Sequence, residues 1–448
     1  MNRYFLDYFR CPESLADFRL SGEISNDPGF FNWGSRIICY GRSANGFRAR
    51  RADDALFDTS EDVLVKNSGV NLPFDPSEVV ENLLRERYSA HFRDPSRLSN
   101  RVVRKLYYFF RPCMAVWMRK YFQKAYLYSW RNISFPEWPV DSTVDRFHRK
   151  LLVAAMKAKG LETVPFVWFW PDGFHSCTIL THDVEEAEGR DFCKALMDLD
   201  ESYGFRAAFQ VVPEGRYAVP KSYLDSIASR GFEVNVHDLK HDGRLYAEYG
   251  EFLRRAKRIN QYGREFGASG FRSGILYRNA DWYREFEFSY DTSIPNVAHL
   301  DPQRGGCCTV LPYFIGDMVE LPLTCTQDYT LFTMLEDYSI DLWKRQIDLI
   351  RVDHGLVNVL VHPDYVIEPR AQAIYKALLG YLAELRDEDH MWTPLPKDVA
   401  AWWNARKQLK LIPDNGKWRI SGASCERARI AYAHLDGEDL TYSFESGN

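Results

Sequence analysis

From residue 165 onward the chain alternates short apolar runs with longer amphipathic stretches. Over 189–203, 220–230, 244–266 and 339–354 the apolar residues recur at helical spacing, and Gly204, Gly231, Gly267 and Gly355 stand where each helix ends and another apolar run begins. Repeated units of strand, loop and helix, about thirty residues long, predict parallel strands with helices packed outside them. In closed parallel barrels chemistry sits at the C-terminal ends of the strands. The residues that follow each apolar run are therefore the candidates for function.

Before residue 165 the rhythm differs. Residues 1 to about 70 are aromatic-rich and irregular, with one strand predicted at Arg36-Ile37-Ile38-Cys39-Tyr40. Asp75-Pro76-Ser77-Glu78 predicts a helix start, because a capping side chain precedes a proline at the first helical position, and Val79, Val80, Leu83 and Leu84 form its apolar stripe. A second helix is predicted from Ser142 to Lys159, ending at Gly160. After Pro394, Asp398 to Trp403 reads as a closing helix. Residues 408–448 alternate polar and apolar around the turn signals Pro413-Asp414-Asn415-Gly416 and Leu435-Asp436-Gly437-Glu438-Asp439, which predicts a small antiparallel sheet. That sheet either caps the barrel or binds glycan. The expected organisation is an accessory region over 1–164, mixed and then helical, a (β/α) barrel over 165–405 and an antiparallel β extension over 406–448.

Composition narrows the function classes. A net charge of -5 over 448 residues argues against a partner held by whole-protein attraction to nucleic acid. No signal-peptide pattern opens the chain, and no apolar run approaches the ~18 residues of a membrane span, so the expected compartment is cytoplasmic. Nine cysteines without a Cys-x-x-Cys pair predict reduced, buried thiols. Residues 101–131 carry eight Lys or Arg and no acid, interleaved with aromatic residues. Three readings stay open: a helix pair packed on a domain with its cations in water, peripheral contact with a membrane surface or lipid-linked substrate, and contact with nucleic acid.

Two stretches carry the candidate chemistry. Ile179-Leu180-Thr181-His182-Asp183-Val184-Glu185 is a small apolar run that empties into a histidine and two carboxylates. Phe232-Glu233-Val234-Asn235-Val236 is a second strand-like run and empties into His237-Asp238-Leu239-Lys240-His241. Histidines four apart share one face of a helical turn, which predicts that both imidazoles reach a single metal. A carboxylate from the first strand end completes three protein ligands and leaves one position open, as hydrolytic zinc sites require.

These motifs resemble the polysaccharide deacetylase (NodB-homology, carbohydrate esterase family 4) superfamily. Thr181 to Glu185 looks like its first motif and His237 to His241 like its second. Arg272 in Gly270-Phe271-Arg272-Ser273-Gly274 looks like its third, Asp291-Thr292-Ser293 like its fourth, and His362 in Val359-Leu360-Val361-His362-Pro363-Asp364 like its fifth. The match runs over roughly residues 165–405. The resemblance implies a distorted α/β barrel of the (β/α)7 type, with a mainly helical N-terminal region and a small C-terminal β segment around it here. It further implies a divalent metal, zinc above others, on His237, His241 and Glu185. The family places its second aspartate where this chain has Val184, so the carboxylate arrives one residue later on a longer side chain, and Asp183 is the alternative ligand. By the same resemblance Asp183 is the general base, Arg272 orients it, His362 is the general acid and Asp291 is the carboxylate partner of His362. A backbone N–H near Ile275 is the expected oxyanion donor. His182 stands where the family has phenylalanine. The implied activity is hydrolysis of an N-acyl, above all N-acetyl, group on an amino sugar of a glycan or lipid-linked saccharide precursor. Alternatives are deformylation or another C–N hydrolysis, and a saccharide-binding protein that has lost the chemistry.

Overall fold

The computed structural model describes residues 2–44, 49–66, 69–92 and 116–444. A curled sheet lies at its centre. Its strands are β1 (Ser176–Val184), β2 (Ala207–Val211), β3 (Glu233–His237), β4 (Gly270–Arg272), β5 (Tyr290–Asp291), β6 (Tyr313–Ile315), β7 (Met318–Glu320), β8 (Leu356–Leu360) and β9 (Met391–Trp392). The spatial order is β6-β7-β5-β4-β3-β2-β1-β8, with β9 beside the start of β1. Only β6 with β7 is antiparallel; the other neighbours are parallel. Between β7 and β8 no regular ladder closes the circle. Instead Asn358 Nδ2 donates to the carbonyls of Leu321 and Pro322, each at 3.2 Å, and Cys325 N donates to the Asn358 carbonyl at 3.2 Å. This is the distorted parallel barrel that the strand-helix rhythm predicts.

Helices α1 (Ala187–Ser202), α2 (Lys221–Ala228), α3 (Tyr249–Phe266), α4 (Asp341–Val352) and α5 (Pro369–Glu388) connect the strands and cover the outside. Covered on both faces, β1, β2, β3 and β8 are buried along their whole length. Three of the four helix-ending glycines take left-handed φ values, 78° at Gly204, 79° at Gly231 and 66° at Gly267. Gly355 does not; there a Cβ would come within 2.6 Å of Val310, so the glycine serves close packing rather than a turn.

The expected helices of the accessory region form at Pro76–Leu84, with the Asp75 carboxylate accepting from Ser77 N at 2.8 Å, and at Thr143–Lys159. One apolar core runs from Phe5 and Phe31 through Phe147 and Trp168 to Phe271 and Tyr290, joining this region to the barrel. The C-terminal strands Ile430–Asp436 and Asp439–Phe444 form a hairpin, and the first of them pairs antiparallel with Thr163–Val167. On α6 (Pro396–Gln408) the buried Arg406 donates to four main-chain carbonyls, those of Trp168 (2.9 Å), Asp7 (3.0 Å), Tyr8 (2.8 Å) and Val167 (2.7 Å). Burial lowers its pKa to about 9.

The described cysteines are all free, and all but Cys425 are buried. Of the basic, aromatic stretch 101–131, the helix Val116–Leu127 and the turn Tyr128–Asn132 are described, whereas Arg101, Arg104, Lys105 and Arg111 lie outside the described residues. Tyr121, Phe122, Tyr126 and Tyr128 are exposed, and Lys124 pairs with Glu336. Among the described residues no helix is long and apolar enough to cross a membrane.

Candidate active site

The strand ends β1, β3, β4 and β8 bring Asp183, Glu185, His237, Arg272 and His362 to one end of the barrel. Alternation along β1 decides which side chains point inward. Thr181 and Asp183 share one face, and Glu185 continues that face one residue beyond the strand, while His182 and Val184 point the other way. In this register Val184 packs in the outer core, and the carboxylate at 185 is the one that enters the site. His182 is buried outside the barrel, with Nε2 3.0 Å from Asp200 Oδ2 and Nδ1 2.9 Å from the Val361 carbonyl. Tyr375 completes that network by donating to Asp200 at 2.7 Å.

Glu185 is the focus of the imidazoles. Its Oε1 lies 2.9 Å from His241 Nε2, 3.4 Å from His362 Nε2 and 3.6 Å from His237 Nε2. Asp183 Oδ2 lies 3.6 Å from His237 Nε2. The side chain of Glu185 keeps 23 % of its surface exposed, whereas those of the three histidines and Asp183 keep 5 % or less, so the site opens to solvent at Glu185.

The expectation of a helical turn from His237 to His241 is corrected. His237 ends β3, and the chain reverses through Asp238 (φ 53°) and His241 (φ 50°), with no helix until Tyr249. The two left-handed residues fold the loop back and set the rings 4.9 Å apart. Gly274 makes room for this loop, since a Cβ there would stand 2.8 Å from His241 Cδ2 and 2.7 Å from Asp238 Oδ2. The neighbouring Ile275 and Leu276 also have positive φ, 62° and 51°, a conformation costly for branched side chains and typical of functional turns.

Arg272 is fully buried and spends its donors on three residues. Nη1 donates to Asp183 Oδ1 at 2.8 Å and Thr181 Oγ1 at 3.0 Å; Nε and Nη2 donate to the Thr292 carbonyl at 2.8 Å and Thr292 Oγ1 at 3.0 Å. Its carbonyl accepts from His237 Nδ1 at 3.1 Å, which fixes the tautomer that leaves Nε2 as the lone-pair nitrogen facing the site. Burial alone would raise the Asp183 pKa, but the charges of Arg272, His237 and His362 outweigh it and hold the carboxylate low. For Glu185 the same contest, with His241 as the leading opponent of burial, holds it well below the usual range.

A second correction concerns His362. Its Nδ1 lies 2.6 Å from Asp328 Oδ1, and its N–H donates to Asp328 Oδ2 at 2.8 Å. Asp291, expected as this partner, ends β5 beside β7, where its carboxyl faces Glu320. The reason is topological: β8 lies next to the crossing segment that follows β7, and that segment delivers Asp328. The sequence carried a signal for it, because Asp328 follows the apolar run around Leu321 and Leu323 just as Asp183 follows its own. Burial lowers the His362 pKa, yet Asp328 and then Glu185 raise it well above the ordinary value.

The donor set fits a divalent cation. Ligand atoms about 2.0–2.1 Å from a tetrahedral centre stand about 3.3–3.4 Å apart, and the Glu185-to-imidazole distances, from 2.9 to 3.6 Å, bracket that spacing. Nε2 of His237 and of His241 are buried and face carboxylate oxygens but no donor among the described residues, an arrangement that is costly unless a cation satisfies the lone pairs. Glu185, His237 and His241 form one such cluster, and Asp183, Glu185 and His362 a second that shares Glu185. Arg216 Nη2 stands 3.3 Å from His241 Nδ1 and also donates to the His241 carbonyl at 3.0 Å, so it keeps an acceptor when Nδ1 carries the proton and Nε2 is free to ligate.

No family model matches the sequence, and no curated protein does. Solved structures that resemble the chain include a candidate polysaccharide deacetylase from Mycobacterium smegmatis, at 20 % identity and TM-score 0.43 over 56 % of this chain and 98 % of that one. The Puue allantoinase follows at 13 % identity and TM-score 0.42, over 53 % and 92 % of the two chains. A candidate polysaccharide deacetylase from Pseudomonas aeruginosa PAO1 has 13 % identity and TM-score 0.41, over 52 % and 92 %.

Proposed function

We propose that the chain is a metal-dependent amide hydrolase that removes an N-acyl group, above all acetyl, from an amino sugar. The observation that carries this reading is the arrangement about Glu185 Oε1: imidazoles converge on it, with a carboxylate bound to arginine on one side and a histidine bound to a carboxylate on the other. Glu185, His237 and His241 would hold a divalent cation, zinc by its donor set, which supplies Lewis acidity to the scissile carbonyl and makes water a stronger acid there.

Asp183 takes the proton from the attacking water, and its second oxygen stays tied to Arg272, which keeps the carboxylate aimed and ionised. His362, charged against Asp328, delivers a proton to the departing nitrogen. The amine leaves, and Asp183 and His362 return to their starting states by proton exchange with solvent. The strained turn at Ile275 is the candidate source of a main-chain donor to the oxyanion.

A lipid-linked saccharide precursor is the narrower substrate class. The basic, aromatic stretch 101–131 and the exposed rings of Tyr121, Phe122, Tyr126 and Tyr128 support it. The test is acetate release from N-acetylglucosamine oligosaccharides by chelated and zinc-reconstituted protein, alongside His237→Ala. Zinc-restored release that disappears in the variant is the expected result. Zinc-loaded wild type without release of acetate or another acyl group would return the chain to a saccharide binder on the same barrel.

A further inference from the structure

Asp291 and Glu320 are the last residues of β5 and β7 and stand opposite one another in the parallel register, in line with Phe271 of β4, so both side chains project from the outer face of the sheet, opposite to the face that carries Asp183 and Arg272. Both are fully buried, and their carboxyls stand side by side across the strand pair. Asp291 accepts from Ser293 N and Ser293 Oγ, each at 2.8 Å, and Glu320 Oε1 accepts from Ile294 N at 2.9 Å. Glu320 Oε2 meets no donor among the described residues. Two ionised carboxylates do not share a dry site, so one proton between them accounts for both the contact and the orphaned oxygen. Arg278, whose charge attracts Glu320, is itself committed to Glu86.

The groups that this pair fixes lead to the site. Its acceptors hold the turn Thr292-Ser293-Ile294 at three main-chain or side-chain donors. Ser293 Oγ in turn accepts from Ser273 N at 2.8 Å, which anchors the residue after Arg272. Thr292 supplies two of the acceptors that set the Arg272 guanidinium, and the Arg272 carbonyl takes both His237 Nδ1 and Asp238 N. The pair touches neither base nor ligand, yet the aim of Asp183 and the tautomer of His237 both pass through the strand end it clamps.

We propose that Asp291 and Glu320 are positioning residues, a buried carboxyl pair that clamps the 292–294 turn and through it sets Arg272, Asp183 and His237. The inference rests on the proposed function for its expectations about zinc affinity and turnover, and stands apart from it in hydrogen exchange. Glu320→Gln retains a donor to Asp291 and an acceptor for Ile294 N, whereas Glu320→Leu removes both. Zinc affinity, by competition titration of the metal-free protein, is expected to stay within about threefold of wild type in Glu320→Gln and to fall at least tenfold in Glu320→Leu, the range seen when the outer support of a ligand is lost. On an N-acetylated oligosaccharide Glu320→Leu should lower kcat with KM little changed when turnover is normalised to the folded, zinc-loaded fraction, which removes the loss that general destabilisation would produce. Hydrogen exchange over 270–276, followed in metal-free protein and so independent of metal and substrate, should accelerate in Glu320→Leu and not in Glu320→Gln. Wild-type exchange together with wild-type zinc affinity in Glu320→Leu overturns the proposal. So does Glu320→Gln failing as badly as Glu320→Leu. Loss of acetate release in every protein, wild type included, with the exchange difference intact would sink the proposed function and leave the clamp standing.

Discussion

The smallest change that should disable the site is Gly274→Ala. A Cβ there would stand 2.8 Å from His241 Cδ2, where ordinary contact begins at 3.4 Å, so the ring must retreat by about 0.6 Å. Nothing else gives easily: the other near atoms are Asp238 Oδ2 at 2.7 Å and His241 Cα at 3.3 Å, and His241 already holds a left-handed φ of 50°. Because Nε2 is bonded to Cδ2, it moves with the ring, and a zinc–nitrogen bond of about 2.0–2.1 Å does not survive a displacement of that size without rearrangement. Zinc affinity should fall about 10- to 100-fold, while overpacking costs the metal-free fold about 1–3 kcal/mol. The assay is competition titration of zinc, with the denaturation midpoint of the metal-free protein alongside. Gly380→Ala is the matched control, since its added Cβ would meet only the Tyr203 ring at 3.8 Å. If Gly274→Ala bound zinc within about twofold of wild type, either His241 is not a ligand or the loop has room that the geometry denies.

Three further outcomes follow from the same contacts. Asp183→Asn and His362→Ala should each lower turnover by roughly 10²- to 10⁴-fold in a steady-state acetate assay, with zinc content retained in the His362 variant. His362 acts as the charged form, whose pKa Asp328 raises, and its proton is lost as pH rises through that value; Asp328→Asn should therefore move the alkaline limb of the pH–rate profile down, whereas Asp291→Asn should lower its height and leave its position unchanged. Arg406→Met leaves three buried carbonyls and one half-buried carbonyl without their donor and should cost about 3–5 kcal/mol in a urea midpoint measurement on metal-free protein.

What the sequence made legible was periodic. Strand ends announce themselves because an apolar run stops at polar residues, and Asp183 and His237 were found that way; Arg272 and His362 came from the family resemblance and fall at such ends too. Partnership across the barrel is not periodic. Asp291 and Asp328 both follow apolar runs, and only the gap between β7 and β8, bridged by 321–325, decides which of them meets His362. The spacing of His237 and His241 suggested a helix, but the same ring proximity arises from two left-handed residues in a loop, a conformation that Asp and His adopt more readily than most and that spacing does not reveal. Glu185 was legible through its departure from the family pattern, and strand alternation supplies the reason it still reaches the site.

The hold of Arg406 on Asp7 and Tyr8 also sets an order of events during synthesis. The donor and one of its acceptors are 399 positions apart in the chain. At about 5–20 residues per second, roughly 20–80 s separate the emergence of the N-terminal helix from that of the side chain that pins it. The barrel strands can pair in that interval, and Phe5 and Phe9 can already meet Phe18, His148, Phe166 and Phe169, so what waits is the main chain of Asp7 and Tyr8, whose carbonyls gain the Arg406 donor only when α6 emerges. Strand Thr163–Val167 is completed later still, because its sheet neighbour Ile430–Asp436 follows α6. A nascent chain of this protein therefore carries the open edge of Thr163–Val167 until Ile430–Asp436 is made, and slowing elongation between the two would lengthen the period in which that edge is open to chaperones and to aggregation.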